Sequence, residues 1–156
     1  RDAFGLDLLS AVLSEGRSSR LIQELREDRQ LVHGIDCGFS LQRDSSLFTI
    51  TAWLDPENLE RVEALLCDRL SQLMTTPVTE TELSRAKRLL CNDYAFSTET
   101  PGQLAGLYGY YHTLAQLEAA IAYPHWIQSF TTEDLRDLAS QYLSPYHYAA
   151  IVVKPL

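Results

Sequence analysis

The stretch GRSSRLIQELREDRQLVHGIDCGF, residues 16–39, decides the fold. It reads as a turn, a short charged helix and then a strand. Gly16 suits the stop of a preceding helix, because glycine takes the left-handed conformation without a Cβ penalty. Ser18 or Ser19 is placed to cap a second helix that carries Leu21, Ile22 and Leu25 on one face. From His33 the period changes to two. His33, Ile35, Cys37, Phe39 and Leu41 fall on one side, and Gly34, Asp36, Gly38 and Ser40 on the other, as in a half-buried strand. Arg26 on the helix and His33 at the start of the strand stand seven residues apart, and what that pair does is the chemical question.

Upstream, Leu6, Leu9, Val12 and Leu13 repeat at helical spacing over 2–14. Downstream, the polar turn QRDSS at 42–46 leads into a strand at 47–54, where Phe48, Ile50, Ala52 and Leu54 alternate with Leu47, Thr49, Thr51 and Trp53. So short a link makes the two strands an antiparallel hairpin. DPEN at 55–58 predicts a helix start, with Asp55 as cap and Pro56 in the first turn. Leu59, Val62, Leu66, Leu70 and Leu73 carry that helix to about residue 75, and Pro77 ends it. Thr79 and Glu82 form a capping box for a helix reaching about Ser97. Further helices are predicted at 102–114, at 115–129, and from 131 to before Pro145. The apolar run YAAIVV at 148–153 predicts a closing strand, central or covered on both faces.

This order gives an α+β, two-layer domain over 1–156: an antiparallel-rich mixed sheet with helices packed on one face. Three strands are few for so many helices. The chain opens on RDAFGLDLL, without an initiator Met or a signal-peptide pattern. Both features suggest a fragment of a longer chain that lacks its first strand. No internal repeat, linker or low-complexity segment stands out.

Composition narrows the function. A net charge of −8 argues against non-specific binding to nucleic acid or an anionic membrane and favours cationic or neutral partners. No run of about 18 apolar residues is present to span a membrane. Cys37, Cys67 and Cys91 are odd in number and far apart, with no CxxC pair. Three buried thiols in a reducing, cytoplasmic setting are expected. The four histidines, His33, His112, His125 and His147, form no HExxH or HxxEH motif, so no metal ligands are assigned within the chain. No GxSxG elbow marks a nucleophile, and PGQLAGLYGYY lacks the GK[ST] of a phosphate loop. In that run Gly102, Gly106 and Gly109 suggest close helix packing. Tyr108, Tyr110 and Tyr111 suggest core and rim, with an aromatic ligand patch as the alternative. On spacing alone, RLIQELREDRQ and SRAKRLL are solvated helix faces with internal ion pairs of small value.

Three segments carry a further signal: LLSAVLSEGRSSRLIQELREDRQLVHGI, TETELSRAKRLL and TTEDLRDLASQYLSPYHYAAIVVKP. In this order they resemble the pitrilysin / mitochondrial-processing-peptidase family of inverted-zincin metallopeptidases, and specifically its C-terminal, non-zinc domain. The resemblance implies a processing-peptidase/LuxS-like metallohydrolase half-domain that opens with a strand. It also implies a homologous zinc-bearing N-terminal domain or partner subunit, a peptide substrate enclosed between halves, and a homo- or heterodimer as one form of the assembly. Zinc would lie outside this chain, which is not catalytic by itself. In active members the non-zinc half supplies an Arg and a Tyr, spaced as in LRxxRxLxY. Here the Arg is Arg26 and the Tyr position holds His33. A guanidinium and a ring donor can hold a substrate carbonyl and stabilise a developing oxyanion. Arg26 and His33 are therefore the substrate-binding candidates. His33 departs from the pattern, so it either replaces the phenol as a donor or marks a role lost or supplied by a partner chain. Its place on the Ile35/Phe39 face also suits a half-buried structural histidine. The alternative to a peptidase half is a structural or assembly subunit of the same family that has lost activity, as in the respiratory-complex core proteins.

Overall fold

The computed structural model describes residues 1–114 and 117–154. Helix α1 (Asp2–Ser14) is the centre of the molecule. Leu8, Leu9, Ala11, Val12 and Leu13 are fully buried, and α1 packs on strand β1 (Gly34–Ser40) and on three helices introduced below. A helix apolar on nearly every face must be enclosed by neighbours. Gly16 follows at φ +80°, the left-handed stop expected from the sequence.

The second helix departs from expectation. Residues Ile22–Asp28 form a π-helix, with Arg29 N–H donating to the Glu24 carbonyl at 3.0 Å, five residues back. Neither serine caps it: the buried Ser19 hydroxyl donates to the Gly16 carbonyl at 2.7 Å, and Ser18 accepts from Arg85 at 3.0 Å. Gln30, at φ +51°, is a non-glycine residue in the left-handed region, and it turns the chain from the π-helix into β1.

β1 pairs antiparallel with β2 (Leu47–Trp53) in the register Cys37 opposite Ile50. Ile35 and Cys37 are buried, while Phe48, Ile50 and Ala52 pack on the core with intermediate exposure. Asp36, Ser40, Thr49 and Thr51 are exposed. The hairpin and its two faces match the alternation in the sequence. The Cys37 N–H donates to the buried Ser14 hydroxyl at 2.7 Å, which ties the end of α1 to β1.

A 3-10 turn (Pro56–Asn58) precedes α2 (Leu59–Thr75). Asp55 does not cap it with its side chain, which bonds His33 instead. α3 (Glu80–Phe96) opens on the expected Thr79–Glu82 capping box. α4 (Pro101–Leu114) and α5 (Leu117–Ser129) follow. The sequence-based start of α5 at residue 115 lies outside the described residues. α6 (Thr132–Tyr142) carries a Thr131–Asp134 capping box. Helices α3, α5 and α6 are the three that pack on α1, and α6 also packs on α2.

The third strand is not formed. Residues 148–153 have no strand pairing, and Ile151 and Val153 are each 90% exposed. An apolar strand needs a neighbouring edge for its N–H and C=O groups, and among the described residues β1 and β2 form strand pairs only with each other. The α+β layering with helices on one face holds, on a two-stranded sheet. The glycines of α4 also differ from expectation. Among the described residues a Cβ added at Gly102, Gly106 or Gly109 would meet nothing within 4 Å; Leu104, Leu107, Tyr108 and Tyr111 are half-buried positions of α4. Of the three thiols only Cys37 is buried; Cys67 and Cys91 are half-buried, and all three are free. Burial pushes the Cys37 thiol up to about 12. No helix among the described residues is long and apolar enough to cross a membrane.

Candidate substrate-binding site

Arg26 lies in the last turn of the π-helix, with its side chain about one-third exposed. Its Nε and Nη2 donate to the Glu27 carboxylate at 3.0 and 2.6 Å. Arg17 approaches the other Glu27 oxygen at 3.5 Å. Arg26, with Arg17, holds Glu27 below the usual carboxylate range. Two guanidiniums on one carboxylate leave a net positive charge. Arg26 Nη1 makes no hydrogen bond among the described residues, which leaves its two N–H donors without a partner there.

The π-helix is held in place by ion pairs that reach other elements. Arg20 pairs bidentately with Glu82 at 2.6 and 2.9 Å, fixing the start of the turn to the α3 capping box. Arg69 of α2 pairs bidentately with Glu24, and Arg29 joins the same carboxylate at 2.9 Å. The reading of RLIQELREDRQ as a solvated face with internal pairs holds for Arg26–Glu27 and Arg29–Glu24 and is corrected for Arg20 and Glu24, whose bidentate contacts are tertiary. Such fork-on-fork pairs fix geometry as well as energy.

Glu82 shows the consequence. Arg20 first, then the Thr79 amide and hydroxyl, hold its carboxyl down at about 2. A carboxyl whose folded pKa is depressed contributes stability above its unfolded value, and that stability is lost as pH falls. Between about pH 4.5 and 2 the wild type should lose about 1–2 kcal/mol that Glu82→Gln never had. Urea titrations across that window check it: parallel stability curves for the two proteins would contradict the assignment.

His33 is not half-buried. Its side chain is 69% exposed, and Nε2 lies 3.3 Å from Asp55 Oδ1. Its backbone N–H donates to the Trp53 carbonyl at 2.7 Å, which anchors the strand start. A neutral imidazole has one N–H. If that proton sits on Nε2, Asp55 takes it and Nδ1 is left as an acceptor. Arg26 and His33 stand at either end of the turn around the buried Leu31 and Val32. No hydrogen bond or ion pair joins them among the described residues. Sequence reading found both residues but neither of their partners, Glu27 and Asp55.

Among the described residues no three His, Cys, Asp or Glu side chains converge as metal ligands. Among the described residues, then, no set of side chains fits a zinc centre.

An α+β domain with a central buried helix and an antiparallel hairpin, and with no converging metal ligands among the described residues, is the class these features define. The family model described as the peptidase M16 inactive domain matches residues 1–90. The chain belongs to that family, in agreement with the resemblance carried by its motifs. The zinc protease PqqE of Helicobacter pylori is 25% identical over 156 residues, covering 99% of this chain and 35% of its own length. An uncharacterised zinc protease of Mycobacterium bovis is 28% identical over 96% of this chain and 34% of its own. Thus the chain spans about a third of the length of these relatives. Among solved structures, the M16 inactive domain from Pseudomonas fluorescens superposes with a TM-score of 0.81 at 25% identity, over 92% of this chain and 35% of that one. A protease from Helicobacter pylori gives 0.80 at 28% identity, with the same coverages.

Proposed function

We propose that this chain is the substrate-binding, chamber-closing and non-catalytic C-terminal domain of a zinc-dependent metallopeptidase. The observation that carries the reading is the likeness, along nearly its whole length, to part of longer zinc proteases, in a chain whose described residues gather no metal-ligand set. The metal chemistry then belongs to a homologous zinc-bearing N-terminal domain or partner subunit, within one polypeptide or as a homo- or heterodimer. Arg26 donates from Nη1 to the carbonyl of the bound peptide, and the positive charge it shares with Arg17 favours developing negative charge on that oxygen. The peptide backbone adds to the edge of β2, which pairs only with β1 among the described residues. His33 donates there only in a tautomer or protonation state that does not leave its single proton on Asp55.

In the complete assembly, Arg26→Ala should lower kcat/KM at least about tenfold, roughly 1.4 kcal/mol of transition-state binding, with metal content unchanged. Unchanged kinetics would remove Arg26 from the site. The Asp55 contact of His33, in place of a phenol, favours a second reading: a structural or assembly subunit without peptidase activity. An intact assembly that never hydrolyses peptide, with the other half metal-loaded, would decide for that reading.

A further inference from the structure

A small cleft opens between the first turns of α1, the end of β1 and α4, away from Arg26. Its walls include Phe4 and Asp7 of α1, Phe39 of β1, Leu41 just beyond it, and Tyr110 and Tyr111 of α4; its volume is about 140 Å³. We propose that this cleft binds an organic cation, the ammonium or guanidinium end of a lysine or arginine side chain from a peptide or protein.

Four observations carry this. The cleft holds a carboxyl in surroundings that are mostly aromatic, and among the described residues no Arg, Lys or His comes within 4 Å of Asp7. A half-buried carboxyl among aromatic rings, lacking a counter-ion, is the complement of a cation. Second, the walls suit that cation. Tyr110 and Tyr111 stand edge to face, centroids 5.8 Å apart at 82°, beside Phe4 and Phe39, and aromatic faces attract ammonium and guanidinium groups. Third, the frame is built in advance: the Tyr110 hydroxyl donates to the Leu41 carbonyl at 2.6 Å and holds α4 across the cleft. Phe4 is fixed edge-on against Tyr123, 5.2 Å between centroids. Fourth, the volume selects the ligand. It falls well below the roughly 300 Å³ where pockets for whole small molecules begin, and suits one side-chain end.

The titratable groups facing Asp7 are all phenols: Tyr111 from α4 and Tyr123 from α5, with Tyr94 of α3 stacked on Tyr123 at 5.5 Å. None carries a positive charge that could occupy the place of the ligand. Burial keeps the Asp7 carboxyl up at about 7, so a bound cation would favour its ionised form.

The test is a ligand-observed NMR titration on the longest polypeptide that contains this chain, at pH 8 in phosphate buffer. The probes are Nα-acetyl-lysine amide and its uncharged analogue Nα-acetyl-norleucine amide, which lacks the ammonium. Saturable lysine binding is expected, at least tenfold weaker in Asp7→Asn and severalfold weaker in Tyr111→Leu, with little binding of norleucine. Tyr111→Phe, which keeps the ring, should bind as the wild type and controls for disturbed packing. No saturable binding, equal affinity in Asp7→Asn, or equal affinity for the norleucine probe would each overturn the proposal.

Discussion

Replacing Asp7 by Asn should stabilise the domain at pH 8 by about 2–4 kcal/mol and leave it nearly unchanged at pH 4. Burial raises this carboxyl from 3.8 to about 7, and the Tyr123 phenol only partly opposes the shift. The sign follows from proton counting. Between about pH 4 and 7 the folded state holds a proton that the unfolded state has released, so stability falls as pH rises through that window. Below it both states are protonated, and a neutral acid differs little from an amide. Above it the full cost of an ionised, partly desolvated carboxyl is present. The gain corresponds to roughly 5–15 °C in Tm for a domain of this size. Thermal melts of both proteins in phosphate at several pH values check it; Tris is avoided because its ammonium is a candidate ligand. Equal melting temperatures at pH 8 would show that Asp7 is not held in a costly environment. A residue that weakens the fold at neutral pH is a candidate for function, which joins this prediction to the proposed cation site.

Gly5→Ala should destabilise the domain by about 1–3 kcal/mol, although alanine is the better helix former by about 1 kcal/mol. An added Cβ would sit 2.1 Å from Leu138 Cδ1 and 2.9 Å from Phe130 Cε1. Both neighbours are in the core, at 8% and 3% exposure. Leu138 can turn its terminal methyl away, but Phe130 also faces Arg1, whose guanidinium lies 5.0 Å from the ring centroid. The overlap therefore outweighs the propensity gain. Trimming the obstacle supplies the control: in Gly5→Ala/Leu138→Ala the loss should be smaller than the sum of the single losses, because the two sites share one space. A higher Tm for Gly5→Ala alone would mean that the packing of α1 on α6 is looser than the structure has it.

Much of this architecture is written locally. The Thr79–Glu82 box spans four residues, and both its partners are visible in the sequence. The period-two alternation of 33–41 and 47–54 fixes the hairpin faces, and Gly16 marks the stop of α1. What failed depends on distant partners. The π-helix at Ile22–Asp28 is pinned by Glu24–Arg69 and Arg20–Glu82, pairs 45 and 62 residues apart, which no local period reveals. Residues 148–153 have strand composition, but pairing is a property of two segments. The glycines of α4 have helix-packing spacing, but among the described residues nothing lies within 4 Å of a Cβ added there. Register alone puts His33 on the buried face, but it lies just before β1 begins at Gly34, and its side chain is exposed beside Asp55. Arg26 could be singled out only through the family pattern, because spacing alone gives an ordinary charged helix. Asp7 carried no signal as a lone acid on an apolar helix; its neighbours come from β1, α4 and α5.

The division of labour itself is the central claim, and the most direct test compares this chain alone with the longer polypeptide or assembly that contains it. Zinc content and chelator-sensitive hydrolysis of an unstructured reporter peptide are measured on both, purified alike. The account predicts neither stoichiometric zinc nor hydrolysis from residues 1–156 alone, and both from the complete protein. Chelator-sensitive peptidase activity, or one tightly held zinc per chain, in residues 1–156 alone would contradict it.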